Sequence, residues 1–200
     1  MKITNIKQQV KRSNRYSVFV DGKYAFSLSE TALLDSRISS GTELSQVELD
    51  GLKKLSASDK AYGRALNYAA IRPRSEWEVR VYLQRKDVAP EEAIAIIEKL
   101  QRIGLLDELA FARAWVANRR TLKATSKRRL VQELHQKHVP ESVITQVLEE
   151  DESSDRDILR DLVTRKRQQS RYKNDELKLM QYLARQGYGY DDIKSAMQEG

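Results

Sequence analysis

Three times along this chain a helix-capping residue is followed by the same apolar positions, and that repetition limits the fold more than any other feature. The caps are Ser75, Ser126 and Asp175, spaced 51 and 49 residues apart. Four residues on stand Val79, Leu130 and Leu179, and eight on stand Leu83, Leu134 and Leu183. Positions four apart share one face of a helix, so each cap opens a short amphipathic helix with one buried stripe. Thirteen residues on come Val88, Val139 and Tyr188, which start the next helix of each unit. Ile144 and Ile193 both fall eighteen residues after their caps, whereas Ile94 needs a one-residue insertion to match them.

Around the first cap, Pro73 blocks continuation of a preceding helix and Ser75-x-x-Glu78 reads as a capping box. Gly104 suits a left-handed helix end and Asp107 a new cap. The pattern predicts helices over 59–71, 75–86 and 90–103, then recurs. The expected fold is mainly α: three tandem three-helix repeats forming a short curved solenoid, each too small to be stable alone. The repeats are expected over 59–106, 107–150 and 151–200.

Residues 1–58 read differently. Tyr16–Val20 and Lys23–Leu28 flank Asp21-Gly22, a strong hairpin signal. A two-residue turn would pair Phe19 with Tyr24 and Ser17 with Phe26, giving one aromatic face. Residues 2–10 can add a third strand. Ser29 can cap a short helix that Gly41 ends, and Ser45-x-x-Glu48 can open another. This small β-hairpin or meander needs those helices to cover it.

Composition narrows the function. With no cysteine there is no disulfide, no thiol catalysis and no ordinary structural zinc site. No run approaches the roughly 20 apolar residues that span a bilayer, and residues 1–5 lack a signal-peptide core, so a cytoplasmic protein is expected. The eight glycines make no phosphate-cradling loop, and no nucleophile elbow or HExxH is present. Catalysis and a cofactor are not expected.

The net charge of +7 favours an anionic partner. Its placement is more telling than its sum, because the connections before the three middle helices are all basic. The first holds Arg72 and Arg74. The second holds Arg119, Arg120, Lys123, Lys127, Arg128 and Arg129, with no acid from 119 to 129. The third holds Arg165, Lys166, Arg167, Arg171 and Lys173, with no acid from 165 to 173. If the repeats stack, equivalent corners line one edge and form a single basic ridge, although charge runs are commonly only solvated faces.

Other candidates have simpler explanations. Trp77, Tyr82, Phe111 and Trp115 can stack on bases, but at helical spacing they are more often core. His135 and His138 are three apart and can share a face, yet no third metal ligand lies near in sequence. Asp107-Glu108 can be a contact site, though Asp107 is explained as a cap.

Taken together, Ala65-Leu66-x-Tyr68, Arg72-x-Arg74-Ser75-Glu76-x-Glu78-Val79-Arg80-x-x-Leu83-x-x-Lys86 and Gly104-Leu105-Leu106-Asp107-Glu108-x-x-Phe111-Ala112-x-x-Trp115-Val116 resemble the RecX family. The resemblance is strongest over residues 60–150. It implies tandem three-helix repeats and a non-enzymatic regulator that binds the RecA recombinase filament; a monomer is expected. Such regulators suppress ATPase, strand-exchange and co-protease activities, modulating recombination and DNA repair. Weak contact with single- or double-stranded DNA would accompany this. The chain departs from the family pattern where glycine is usual after each middle helix: it has Asp87 and His138, and only Gly187 keeps it. Leu122-Lys123-Ala124 also lacks a glycine often found there. The alternatives are a helical-repeat module that binds nucleic acid directly, without RecA, and a structural adaptor whose ridge only keeps it soluble.

Overall fold

The structure is a computed structural model that describes residues 1–199. Among the described residues it has three strands and ten helices. Two compact units divide the chain: Met1–Ile71 with Arg80–Arg102, and Arg72–Val79 with Ile103–Gly200.

In the first unit, β1 (Ile3–Gln9), β2 (Arg12–Val20) and β3 (Lys23–Ser29) form an antiparallel sheet in chain order. Asp21 and Gly22 both take positive φ, 46° and 80°, as a tight hairpin turn requires. Phe19 faces Tyr24 as the turn length predicts, but the register then shifts, so that Phe26 pairs with Val18 and not Ser17. The extra residue in β3 turns Phe26 to the inner face, 3% exposed between Val18 and Leu28, and leaves Tyr24 outside. The single aromatic face expected from the sequence therefore does not form.

Ser29 caps α1 (Glu30–Ser36), and Ser45 with Glu48 makes a complete capping box for α2 (Gln46–Ala70). This helix runs unbroken through Ser58, where the sequence reading began a new one. Nothing at 55–60 terminates a helix, and the sheet holds it there. Ser56 Oγ donates to Ser27 O at 2.7 Å. Asp59 accepts from Ser29 N–H at 2.8 Å and from Arg15 Nη2 at 2.9 Å in a pair only 9% exposed on either side. Then come α3 (Glu76–Gln84) and α4 (Pro90–Arg102), with α4 packed on α2. In α4 it is Ala93 that is buried eighteen residues after its cap, while Ile94 is 45% exposed. No insertion is needed; the repeat keeps its register with a smaller side chain.

The second unit contains two further triplets. These are α5 (Glu108–Lys123), α6 (Lys127–Gln136) and α7 (Glu141–Glu150), then α8 (Asp155–Arg167), α9 (Glu176–Arg185) and α10 (Tyr190–Glu199). Asp107, Ser126, Ser154 and Asp175 each accept a backbone N–H from the first turn of their helix. Leu130, Leu134 and Ile144 pack with Phe111 in one core; Leu179, Leu183 and Ile193 pack with Leu159 and Tyr172 in another. Leu83, Leu134 and Leu183 are all fully buried, as the repeat spacing predicts.

Twelve residues after each cap the backbone is left-handed: Asp87 at φ 57°, His138 at φ 57° and Gly187 at φ 96°. The loop geometry that glycine would favour is thus kept at two positions by other residues. Ala124 does the same at φ 50°, closing α5 with its N–H on the last-turn carbonyls.

Candidate functional site

The capping pattern that starts each middle helix also sets where its basic corner lies. At the first corner Ser75 and Glu78 cap each other, and Glu78 is only 8% exposed. Arg72 donates to both carboxylate oxygens of Glu78, at 3.2 and 3.0 Å, and to Pro73 O at 2.8 Å. Lys137 Nζ reaches the same carboxylate at 2.9 Å from the end of α6. Burial works against a charged Glu78, yet the hydrogen bonds from Arg72 and Lys137 outweigh it and hold its carboxyl below the usual range. Beside it, Glu108 accepts the Glu76 N–H, and burial there pushes the carboxyl up. Arg74 is half-buried and has its own interactions within the chain.

At the second corner three cations are tied down or partly so by acids that lie outside the local run. Arg119 Nε donates to Glu133 at 2.6 Å, with its guanidinium 4.3 Å from the Trp115 ring centroid. Arg129 lies 3.5 Å from the other oxygen of Glu133. Arg120 is buried, donating to Asp151 at 2.8 Å, Asp155 at 2.6 Å and Thr125 O at 2.8 Å. Asp155 also receives the Lys127 N–H. Arg120, expected on the ridge, has its side chain only 8% exposed and paired with Asp151 and Asp155, so its charge is largely balanced inside the fold. Lys123, Lys127 and Arg128 point to solvent, without an ion pair among the described residues.

At the third corner Arg167 pairs with Glu176 at 3.2 Å and donates to Met197 O at 2.8 Å. Lys166 lies over the rings of Tyr182 and Tyr172, at 4.8 and 5.7 Å, and Arg171 lies 5.8 Å from Tyr172. Arg165 and Lys173 are exposed. The other sequence candidates have internal roles. Phe111 is core, Tyr82 stacks on Tyr68, and Trp115 donates to Glu133. His135 faces Glu141 while His138 stacks on Trp77, so the two histidines have different partners.

The corners connect by a recurring contact. The start of α3 meets the end of α6 through Glu78 with Lys137 and Trp77 with His138. The start of α6 meets the end of α9 in the equivalent way. Ser126 N–H donates to Gln186 O at 3.0 Å, and Gly187 lies so close that a Cβ there would be 2.4 Å from Arg129 Cβ. The middle helices therefore follow one another start to end, and successive corners are separated by one helix of ten residues, about 15 Å. Where α6 meets α9, Arg128 and Arg129 share an open groove with Tyr182 and Arg185. Arg185 was missed in the sequence because it sits at a helix end, outside every acid-free run.

An N-terminal three-stranded sheet and α-helical triplets, with cationic corners at successive middle-helix starts, define a tandem three-helix-repeat protein with a charged face. Residues 1–45, 61–100 and 107–148 match, respectively, the regulatory protein RecX N-terminal domain and the first and second RecX three-helix domains. The chain belongs to the RecX family. It is 37% identical to a regulatory protein RecX of Lactobacillus johnsonii over 74% of this chain and 54% of that relative. With one of Listeria welshimeri it is 31% identical over 75% and 56%. It thus spans about half the length of the curated relatives it matches. A crystal structure of regulatory protein RecX superposes with TM-score 0.72 at 28% identity, covering 100% of this chain and 99% of that one. RecX from Lactobacillus salivarius shares the fold at TM-score 0.55 and 23% identity, over 71% and 95%. No helix among the described residues is long and apolar enough to cross a membrane.

Proposed function

We propose that this chain is a cytoplasmic, monomeric regulator of RecA that binds the RecA nucleoprotein filament and inhibits its ATPase, strand-exchange and co-protease activities. The RecX resemblance supplies the target. The observation that carries the reading is the row of cationic corners repeating at about 15 Å, since a regular row suits a partner that itself repeats. Within that row the contacting charges are those without an internal acid: Lys123, Lys127, Arg128, Arg165, Lys166, Arg171 and Lys173. Arg72, Arg119, Arg129 and Arg167 position the corners through their carboxylates. Half-buried Arg74 belongs to the first corner.

The test is DNA-dependent ATP hydrolysis by the cognate RecA, titrated with this protein. Turnover should fall, and the triple variant Lys127→Glu, Arg128→Glu, Arg165→Glu should lose inhibition at a salt concentration where Lys2→Glu, Lys54→Glu, Arg102→Glu retains it. Equal loss in both would mean that bulk charge acts and not the row. No effect of the wild-type chain on turnover, with equal affinity for bare and RecA-coated DNA, would favour the direct nucleic-acid binder.

A further inference from the structure

The first unit carries a second cationic surface that the row of corners does not include. Lys53, Lys60 and Arg64 lie on one face of α2, at spacings of seven and four residues. On one side of that face Lys60 and Arg64 line an open groove with Lys53, Lys86 and Tyr24. On the other side the same two residues line a groove with Lys11, Arg12 and Asn67. Because Lys60 and Arg64 belong to both, the two grooves make one track across the helix. Besides Arg15, which is paired with Asp59, six cations border it, and the acids on it, Asp87 and Glu92, stand only at the Lys86 end.

These charges differ from those of the corners in having little internal use. Lys53 reaches Asp50 only at 4.0 Å, with both half-exposed. Lys86 lies over the Tyr82 ring, and the other four make no ion pair among the described residues. Uncompensated cations crowded on one helix face raise the potential and favour an anion.

Two further observations narrow the class of anion. Gly63 sits inside α2 and lines the Lys11 side of the track, where a glycine is less favourable than alanine. Outside the helix's own nearby backbone, no atom lies within 4 Å of where its Cβ would be, so the space beside Gly63 is open. An open backbone there lets a ligand approach closely. At the opposite side Tyr24 is 54% exposed at the hairpin tip, held edge-on by Phe19 at 6.1 Å. A basic track with an exposed aromatic at its margin is the combination that holds a single nucleic-acid strand, phosphates on the cations and a base on the ring.

We propose that this face of α2, with Lys11, Arg12, Lys86 and Tyr24, binds a single strand of nucleic acid independently of the corner row. It does not rest on the RecA reading, and its test contains no RecA. Fluorescence anisotropy of a labelled oligothymidylate of about 20 nucleotides, titrated with the full chain from low to moderate salt, reads it directly. Lys60→Glu, Arg64→Glu should weaken binding at least about tenfold and reduce the salt slope by about 1.4, since each single-strand phosphate contributes about 0.7. Tyr24→Ala should weaken binding with the slope unchanged, because stacking releases no counterions. Lys60→Gln, Arg64→Gln serves if the reversed pair does not fold, as judged by circular dichroism. An equal loss from Lys2→Glu, Lys54→Glu, or a loss confined to the corner variants, overturns the proposal. So does polyglutamate competing as well as the oligonucleotide while Tyr24→Ala has no effect, since the surface would then fit an acidic peptide.

Discussion

The imidazole of His138 stacks on the indole of Trp77, ring centroids 4.9 Å apart and planes 20° from parallel. His138 takes a left-handed backbone, φ 57°, just past the end of α6. The strain and the stack belong to the same joint between successive middle helices. A double-mutant cycle of Trp77→Ala with His138→Gly should therefore give a coupling of about 0.5–1.5 kcal/mol in urea unfolding. Strict additivity would mean that the two rings are neighbours without mutual stabilisation.

At the equivalent positions, substitution should have opposite signs. Asp87 is exposed and left-handed, so Asp87→Gly should raise stability by up to about 1 kcal/mol. Gly187→Ala should lower it by about 1–3 kcal/mol, because the added methyl meets Arg129 Cβ and Ser126 Oγ. Both are read from urea midpoints, and a Gly187→Ala protein as stable as the parent would contradict the close approach of α6.

Leu134 fills the core of the α5–α7 triplet at the position that Leu183 fills in the next. Leu134→Ala should cost about 2–5 kcal/mol. A cost well under 1 kcal/mol in thermal or urea unfolding would show that this layer can collapse around the gap.

Arg120 and Arg113 separate burial from geometry. Arg113 makes two 2.8 Å bonds to Glu150 in the open, whereas Arg120 is 8% exposed between Asp151 and Asp155. Arg120→Met leaves two carboxylates without their cation and should cost about 3–5 kcal/mol. Arg113→Met should leave stability nearly unchanged, since water screens that pair. Similar unfolding midpoints for the two variants would contradict this contrast.

Glu78 and Glu108 should bend the pH dependence of stability in opposite directions. The folded Glu78 carboxyl titrates below its unfolded value, so its stabilisation is present above the unfolded pKa and is lost as pH falls through the folded one. Glu108 titrates above its unfolded value, so its contribution is present at low pH and lost as pH rises through the folded pKa. Glu78→Gln should flatten the acid limb of a stability–pH curve, and Glu108→Gln should flatten the loss on the other side. Parallel curves for parent and variants would remove both assignments.

The local signals in the chain were sufficient for the caps, the helical period and the hairpin turn, because each of these is satisfied within four or five residues. Ser126 bonds its own first turn, Leu130 and Leu134 share a face by spacing alone, and Asp21-Gly22 needs only its own φ values. The repeat of three units and the RecX resemblance follow from those signals, and so does the expectation of basic corners. What sequence spacing could not decide is what lies opposite. A bulge in β3 turned Phe26 inward, and the sheet carried α2 through Ser58. Arg120, in a stretch with no nearby acid, found Asp151 and Asp155 on the far side of α7. Lys60 and Arg64, in a stretch with no conspicuous charge run, became the centre of a track only when the β1–β2 turn brought Lys11 and Arg12 beside them. Charge and packing act through space over several ångströms, so a side chain's neighbours, and with them its free or spent charge, are settled only when distant segments meet.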